Sequence, residues 1–133
     1  MSKPPLLDTH IWLWWLIGDN RLSAEQIETL ESFPSSNRPF ISDISVWELG
    51  MLVELGRLKL NIPFEDFLRK ATSPSTVQVL SISPEVILEM NKLPQSFHRD
   101  PADRLIVSTS RAFDLPLATQ DYMILNSGLI TQW

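Results

Sequence analysis

The sequence predicts an α/β fold: a three-layer α/β/α sandwich around a mostly parallel central sheet of about five strands. Three observations predict it. Short apolar or β-branched runs alternate along the chain with longer stretches of helical periodicity, the pattern of strand–helix–strand units. At 133 residues and 44% hydrophobic content, the chain can bury one sizeable core. No repeat, linker or low-complexity tract divides it, so residues 1–133 are read as a single domain.

The elements follow in order. Pro5-Leu6-Leu7 is a short buried strand that ends in the carboxylate of Asp8. From Thr9 the pattern is helical, with Ile11, Trp12, Trp14, Trp15 and Leu16, and Gly18-Asp19-Asn20 stops it. Ser23-Ala24-Glu25-Gln26 has the form of a capping box and opens a second helix carrying Ile27 and Leu30. After the loop Pro34–Asn37, Arg38 to Ser42 form a second strand. A helix capped by Ser42 or Asp43 follows. Ile44, Trp47 and Leu55 mark its apolar face, Met51 and Leu52 widen that face, and Gly56 ends it.

Pro63 starts the next helix, with Phe64, Phe67 and Leu68 on one side. Thr76 to Ile82 alternates and is β-branched, so it reads as a strand. Ser83-Pro84-Glu85 caps a helix that runs to about Leu93. Asp100 then caps a helix to about Phe113, with Pro101 at the first position, where no N–H is needed. Leu115 to Thr119 is a fourth strand. Asn126-Ser127-Gly128 turns the chain into a short fifth, Leu129-Ile130-Thr131.

Composition narrows the chemistry. With no Cys, the chain has no disulfide framework, no thiolate zinc site and no Cys nucleophile. Met1–Pro5 lacks the apolar core of a signal peptide, and Ile11–Ile17 is too short to span a bilayer. A cytoplasmic protein without membrane contact is therefore expected. The net charge of −5 does not suit a protein that holds nucleic acid mainly by phosphate neutralisation. Acids gathered to hold cations, or a basic partner, would reconcile that charge with phosphate chemistry.

In a parallel α/β sheet the site lies beyond the carboxyl ends of the strands. Asp8 ends the first strand. Glu48 lies on the helix after the second. Asp100 and Asp103 open the helix before the fourth, and Asp121 follows it. Each has an ordinary alternative role, as a cap, a solvated side chain or a turn residue. Together at one rim they could not stay ionised unaided, because two unit charges 4 Å apart repel by about 4 kcal/mol at an effective dielectric near 20. Such a cluster needs protons or cations. Oxygen ligands without Cys or a paired-His motif select a hard ion, Mg²⁺ or Mn²⁺. Ions so held can activate water at a phosphodiester and stabilise the leaving oxygen.

Four segments carry a resemblance. Leu6–His10, Ser42–Glu48, His98–Arg104 and Leu115–Asp121 resemble the four blocks of PIN-domain proteins, and more narrowly of the VapC-type toxins of bacterial toxin–antitoxin pairs. Gly18–Ser23 and Gly56–Leu60 are similar to the same subgroup, so the resemblance spans almost the whole chain. It implies a PIN-like sandwich and a Mg²⁺- or Mn²⁺-dependent endoribonuclease. It also implies a homodimer neutralised by a small antitoxin protein. The matching acids are Asp8, Glu48, Asp103 and Asp121, with Asp8 and Asp103 as direct metal ligands and the other two completing the ring. Asp100 competes with Asp103, and the family's Asp-x-x-Ile spacing favours Asp103. Thr9 and Thr119 match positions that orient the ligands. Met51 stands where relatives often carry Lys, and Val107-Ser108-Thr109-Ser110 replaces an Ala-rich run, for which only a packing difference is expected.

The other conspicuous residues have plainer expectations. Core or interface packing is expected of Trp47. Trp12, Trp14 and Trp15 lie too close together to share one face, which places at least one at a surface. His10 and His98 are expected to make local hydrogen bonds. Arg104 is a candidate for contact with an acid or with substrate phosphate, and a solvated position is its alternative. Two rival functions have sequence features against them. A PIN-like module that only binds RNA or protein would be expected to have lost some of the acids. An aspartyl-phosphate phosphohydrolase would carry Asp two residues beyond Asp8, where this chain has His10.

Overall fold

Leu6 and Leu7 set the architecture. They form β1 (Leu6–Leu7), and successive strand residues point to opposite faces of a sheet. Leu7 joins a core with Ile11, Trp12, Leu30, Ile41 and Leu49. Leu6 joins another with Phe97, Ile106, Val107, Leu117 and Ile124. The two buried clusters on either side of one sheet make the three layers. The computed structural model describes residues 3–133.

Among the described residues the sheet has four parallel strands in the order β3-β2-β1-β4. β2 is Phe40–Ser42, β3 is Gln78–Leu80 and β4 is Leu117–Ala118. Leu6 pairs with Phe40 on one side and Leu117 on the other, and Ser42 lies opposite Leu80. The chain winds outward from β1 to β3, then returns to place β4 on the far side of β1. Connections after β1 and β4 therefore diverge, and a crevice opens between the ends of these two strands.

The expected fifth strand does not form. Leu129–Thr131 passes along the outer edge of β4, where Leu117 N–H donates to Thr131 O at 2.8 Å, and only an isolated bridge from Leu117 to Gln132 results. β4 is two residues long and offers no longer ladder. The strand expected over 76–82 shrinks to Gln78–Leu80 for the same reason. Its partner β2 begins after Pro39 and ends at Ser42, which caps a helix. Arg38, expected in β2, instead sends its buried guanidinium to the carbonyls of Phe33 and Thr76.

Among the described residues, seven helices complete the layers: α1 (Thr9–Ile17), α2 (Ala24–Ser32), α3 (Asp43–Glu54), α4 (Phe64–Ala71), α5 (Pro84–Asn91), α6 (Pro101–Ala112) and α7 (Tyr122–Leu125). Their starts follow the sequence signals. Ser23 and Gln26 form the capping box, Ser42 accepts from Ile44 N–H, and Gly18 takes φ 71° to close α1. In α6, the hydroxyls of Ser108 and Thr109 bond back to the carbonyls of Arg104 and Leu105. Ser110 donates to Leu115 O. The polar run therefore fits a buried helix.

Trp12 is fully buried and donates its indole N–H to Ala71 O at 3.2 Å. Trp14 and Trp15 are half-buried under the guanidinium groups of Arg21 and Arg38. Trp47 does not join the core: it is 60% exposed. Ser45 and Leu49 are the buried positions of α3, and a residue two from each points about 200° around the helix, away from them. The expected Ile44–Trp47–Leu55 face is thus split: Trp47 and Leu55 are exposed, whereas half-buried Ile44 packs against the core that contains Leu6. No helix among the described residues is long and apolar enough to cross a membrane.

Candidate metal centre

The crevice between β1 and β4 is built from helix starts. Asp8 follows β1 and caps α1, accepting from Thr9 N–H at 2.7 Å. Asp121 follows β4 and caps α7, accepting from the N–H groups of Met123 and Ile124. Asp100 caps α6 and accepts from Asp103 N–H at 3.0 Å. Because α6 runs back to feed parallel β4, its first turn reaches the carboxyl ends of the strands. The N-terminal dipoles of these helices favour negative charge in this region.

Threonines tie the acids together. Thr119 Oγ1 donates to Asp8 Oδ2 at 2.8 Å and accepts from Asp121 N–H, linking the two strand ends. Thr9 Oγ1 donates to Glu48 Oε1, which fixes a carboxylate from α3 beside α1. The Thr9 hydroxyl has only one proton, so the buried Ser45 hydroxyl 2.8 Å away donates to it in turn.

Five carboxylates share one electrostatic site. Burial, followed by repulsion from Asp8, Asp100, Asp121 and Glu48, pushes the Asp103 carboxyl up to about 7. Burial also raises Glu48, opposed by the Thr9 hydroxyl and reinforced by repulsion from Asp8 and Asp100. Asp8 is raised by burial too, although the Thr119 and Thr9 hydrogen bonds hold it down. The structure thus brings Asp8, Glu48, Asp103 and Asp121 to one rim, with exposed Asp100 at its edge.

One ligand atom each from His98, Asp103 and Asp121 lies within 4.8 Å of the others. Asp8 and Glu48 fall outside that tighter group. His98 was expected to make a local hydrogen bond. Its Nε2 lies 3.3 Å from Asp103 Oδ2, yet it is buried and makes none. The sequence signal was its place two residues before the cap of α6. Arg104 donates to the carbonyls of Phe97 and His98, and among the described residues it forms no ion pair with an acid. Beside the acids, a groove of about 440 Å³ is lined by Ile44, Trp47, Glu48, Asp100, Pro101 and Ala102.

The donor set can hold a divalent cation: carboxylate oxygens whose mutual repulsion a cation would relieve, and a buried ring nitrogen with no hydrogen-bond partner. Asp100 caps α6, and Asp103 sits in its first turn. Asp100→Ala removes a cap, so it should cost about 1 kcal/mol of stability in urea unfolding and leave most activity. Loss of activity in that variant, with full activity in Asp103→Ala, would reverse the two roles.

A parallel sandwich with carboxylates at its switch point defines the class, and the match to known proteins makes it specific. The chain belongs to the PIN domain family, whose profile matches residues 6–126. It is 34% identical over 116 residues to Ribonuclease VapC22 of Mycobacterium tuberculosis, covering 87% of this chain and 85% of that protein. Solved structures share the fold. The VapBC2 structure from Rickettsia felis, bound to a DNA fragment from its promoter, superposes with a TM-score of 0.70 at 17% identity over 96% of both chains. A toxin–antitoxin complex from Klebsiella pneumoniae gives a TM-score of 0.61 at 22% identity, again over 96% of both chains.

Proposed function

We propose that the chain is a Mg²⁺- or Mn²⁺-dependent endoribonuclease toxin that hydrolyses RNA phosphodiester bonds and is neutralised by a small antitoxin protein. The observation that carries this reading is the convergence of four acids from remote parts of the chain, with Asp103 raised to about 7 by their company. The 34% identity to a protein named a ribonuclease supports the reaction class. The toxin–antitoxin complexes with this fold support the antitoxin partner. Residues 1–133 act as one domain, and exposed Trp47, Leu55 and Leu88 suit a homodimer.

Asp8, Asp103, Glu48 and Asp121 are the residues that would hold the ion. Bound there, a divalent cation supplies Lewis-acid activation of water and stabilises the leaving oxygen. The chain's own contribution is orientation. Thr119 and the Thr9 amide fix Asp8, Thr9 and Ser45 fix Glu48, and two α7 amides fix Asp121. Preorganised donors of this kind need no rearrangement when charge develops at the phosphate. Asp103 lacks such restraints on its oxygens and is the acid best able to hold a proton near neutral pH.

The test is cleavage of a panel of structured RNAs by purified protein with Mg²⁺, with Mn²⁺ and with chelator. Cleavage that requires the ion and stops on adding the antitoxin supports the reading. Well-folded protein that binds RNA and cuts none of it under any condition refutes it.

A further inference from the structure

We propose that His98 is a nitrogen ligand of the divalent ion, so that this centre is a mixed imidazole–carboxylate site. This rests on the reading of the rim as a metal centre and adds to it a residue from outside the four acids. Three observations carry it.

The first is an orphaned atom. His98 Nε2 is shut off from solvent and has no hydrogen-bond partner among the described residues. A buried polar atom left this way carries the full cost of its lost hydration, so something should satisfy it.

The second is spacing. Nε2 sits 3.3 Å from Asp103 Oδ2, close enough for a hydrogen bond, so direction and not distance prevents one. Neighbouring donors on an octahedral ion, each about 2.1 Å from it, lie about 3 Å apart, and opposite donors about 4.2 Å apart. His98, Asp103 and Asp121 offer atoms within 4.8 Å of one another, which small side-chain adjustments bring to those values. An ordinary imidazolium–carboxylate pair would use the same distance but would aim its N–H at the oxygen.

The third is anchoring. The His98 ring packs edge-on against buried Phe97, with centroids 4.7 Å apart. Arg104, one turn into α6, reaches back to the carbonyls of both Phe97 and His98. These contacts fix where the ring sits without using either ring nitrogen, so Nε2 stays available to a ligand.

The consequence is selectivity. A centre made only of carboxylates suits Mg²⁺, whereas one imidazole shifts preference toward Mn²⁺ and the later transition ions. Wild type should bind Mn²⁺ more tightly than Mg²⁺, and His98→Gln should weaken Mn²⁺ binding about tenfold with less effect on Mg²⁺.

The deciding measurement is pulsed electron paramagnetic resonance of Mn²⁺ bound to the full chain with ¹⁵N-labelled histidine. The chain has only two histidines, so in His10→Gln any imidazole signal belongs to His98. That variant decides the matter even if His98→Gln fails to fold. A directly bonded ¹⁵N coupling in wild type and His10→Gln, lost in His98→Gln, is the expected result. Bound Mn²⁺ without that coupling overturns the His98 assignment and leaves the metal centre standing. Failure to bind Mn²⁺ at all overturns both. Coupling without RNA cleavage would instead keep His98 as a ligand and sink the ribonuclease reading.

Discussion

Asp103→Asn should stop metal-dependent RNA cleavage and, in the same protein, raise stability in the absence of metal. Both effects come from one charge. Asp103 is half-buried among Asp8, Asp100, Asp121 and Glu48, and its ionisation is resisted up to about pH 7. Asparagine keeps the shape and one carbonyl acceptor while removing the charge that a cation would bind. The expected fall in kcat/KM is on the order of 10²–10³-fold, the scale of losing one preorganised electrostatic group. At pH 8 with chelator, the wild-type carboxylate is ionised and repelled, and Asn is not. The variant should then be more stable by about 1–2 kcal/mol, because water partly screens a half-buried group. For a chain of this size that is several degrees in Tm. Asp8→Asn should lose activity similarly with a smaller gain. The Asp8 carboxylate accepts from Thr9 N–H and Thr119 Oγ1, so its charge is partly compensated. Cleavage by Asp103→Asn within a few-fold of wild type would remove Asp103 from the site. A lower Tm in chelator would show that repulsion does not govern this rim.

Much of this arrangement was legible in the sequence because local rules and the site coincide. Asp8, Asp100 and Asp121 are all helix caps in the structure. The ordinary reading of Asp8 and Asp100 as caps was therefore correct, whereas Asp121, whose ordinary reading was a turn, caps the short α7 that the sequence did not signal. Capping is also what aims the carboxylates: a cap sits at a helix start, and helix starts meet at the switch point of a parallel sheet. What sequence could not give was pairing length. Leu129–Thr131 has strand composition, but β4 is too short to extend a ladder to it. Trp47 lies outside the core for a geometric reason, which leaves an interface as the packing open to it. Apolar residues marked both sides of α3, and only the buried positions Ser45 and Leu49 show which side faces inward. A serine at the packed position disguised the core face. The unpartnered His98 Nε2 was the least legible feature: a place two residues before a cap is a weak signal, and the missing hydrogen bond of one buried atom shows only in the folded chain.

Without metal, stability should fall as pH rises from about 4 to about 7, the reverse of what paired carboxylates usually produce. Asp103 titrates near 7 in the folded chain and near 3.8 when unfolded. Between those values the folded state holds more protons, so its advantage is complete at the acid end and is lost as pH passes through 7. Asp8 and Glu48 are raised as well and add the same sign. Asp19, held low at about 2 by the Arg21 side chain, titrates below this window and does not interfere. The unscreened value for Asp103 alone is about 4 kcal/mol, and solvent around this half-buried group reduces it to about 2 kcal/mol. A divalent ion should oppose this slope. It binds the ionised acids and competes with protons, so at pH 7.5 and about 100 times its Kd it adds about 2.7 kcal/mol, and little of that remains at pH 4.5. Urea unfolding from pH 4.5 to 7.5, with chelator and with Mn²⁺, measures both slopes. In Asp103→Asn the slope in chelator should flatten and the gain from Mn²⁺ should shrink. Stability that climbs with pH in chelator would mean that the acids are compensated within the fold, and the reason for placing a cation among them would be gone.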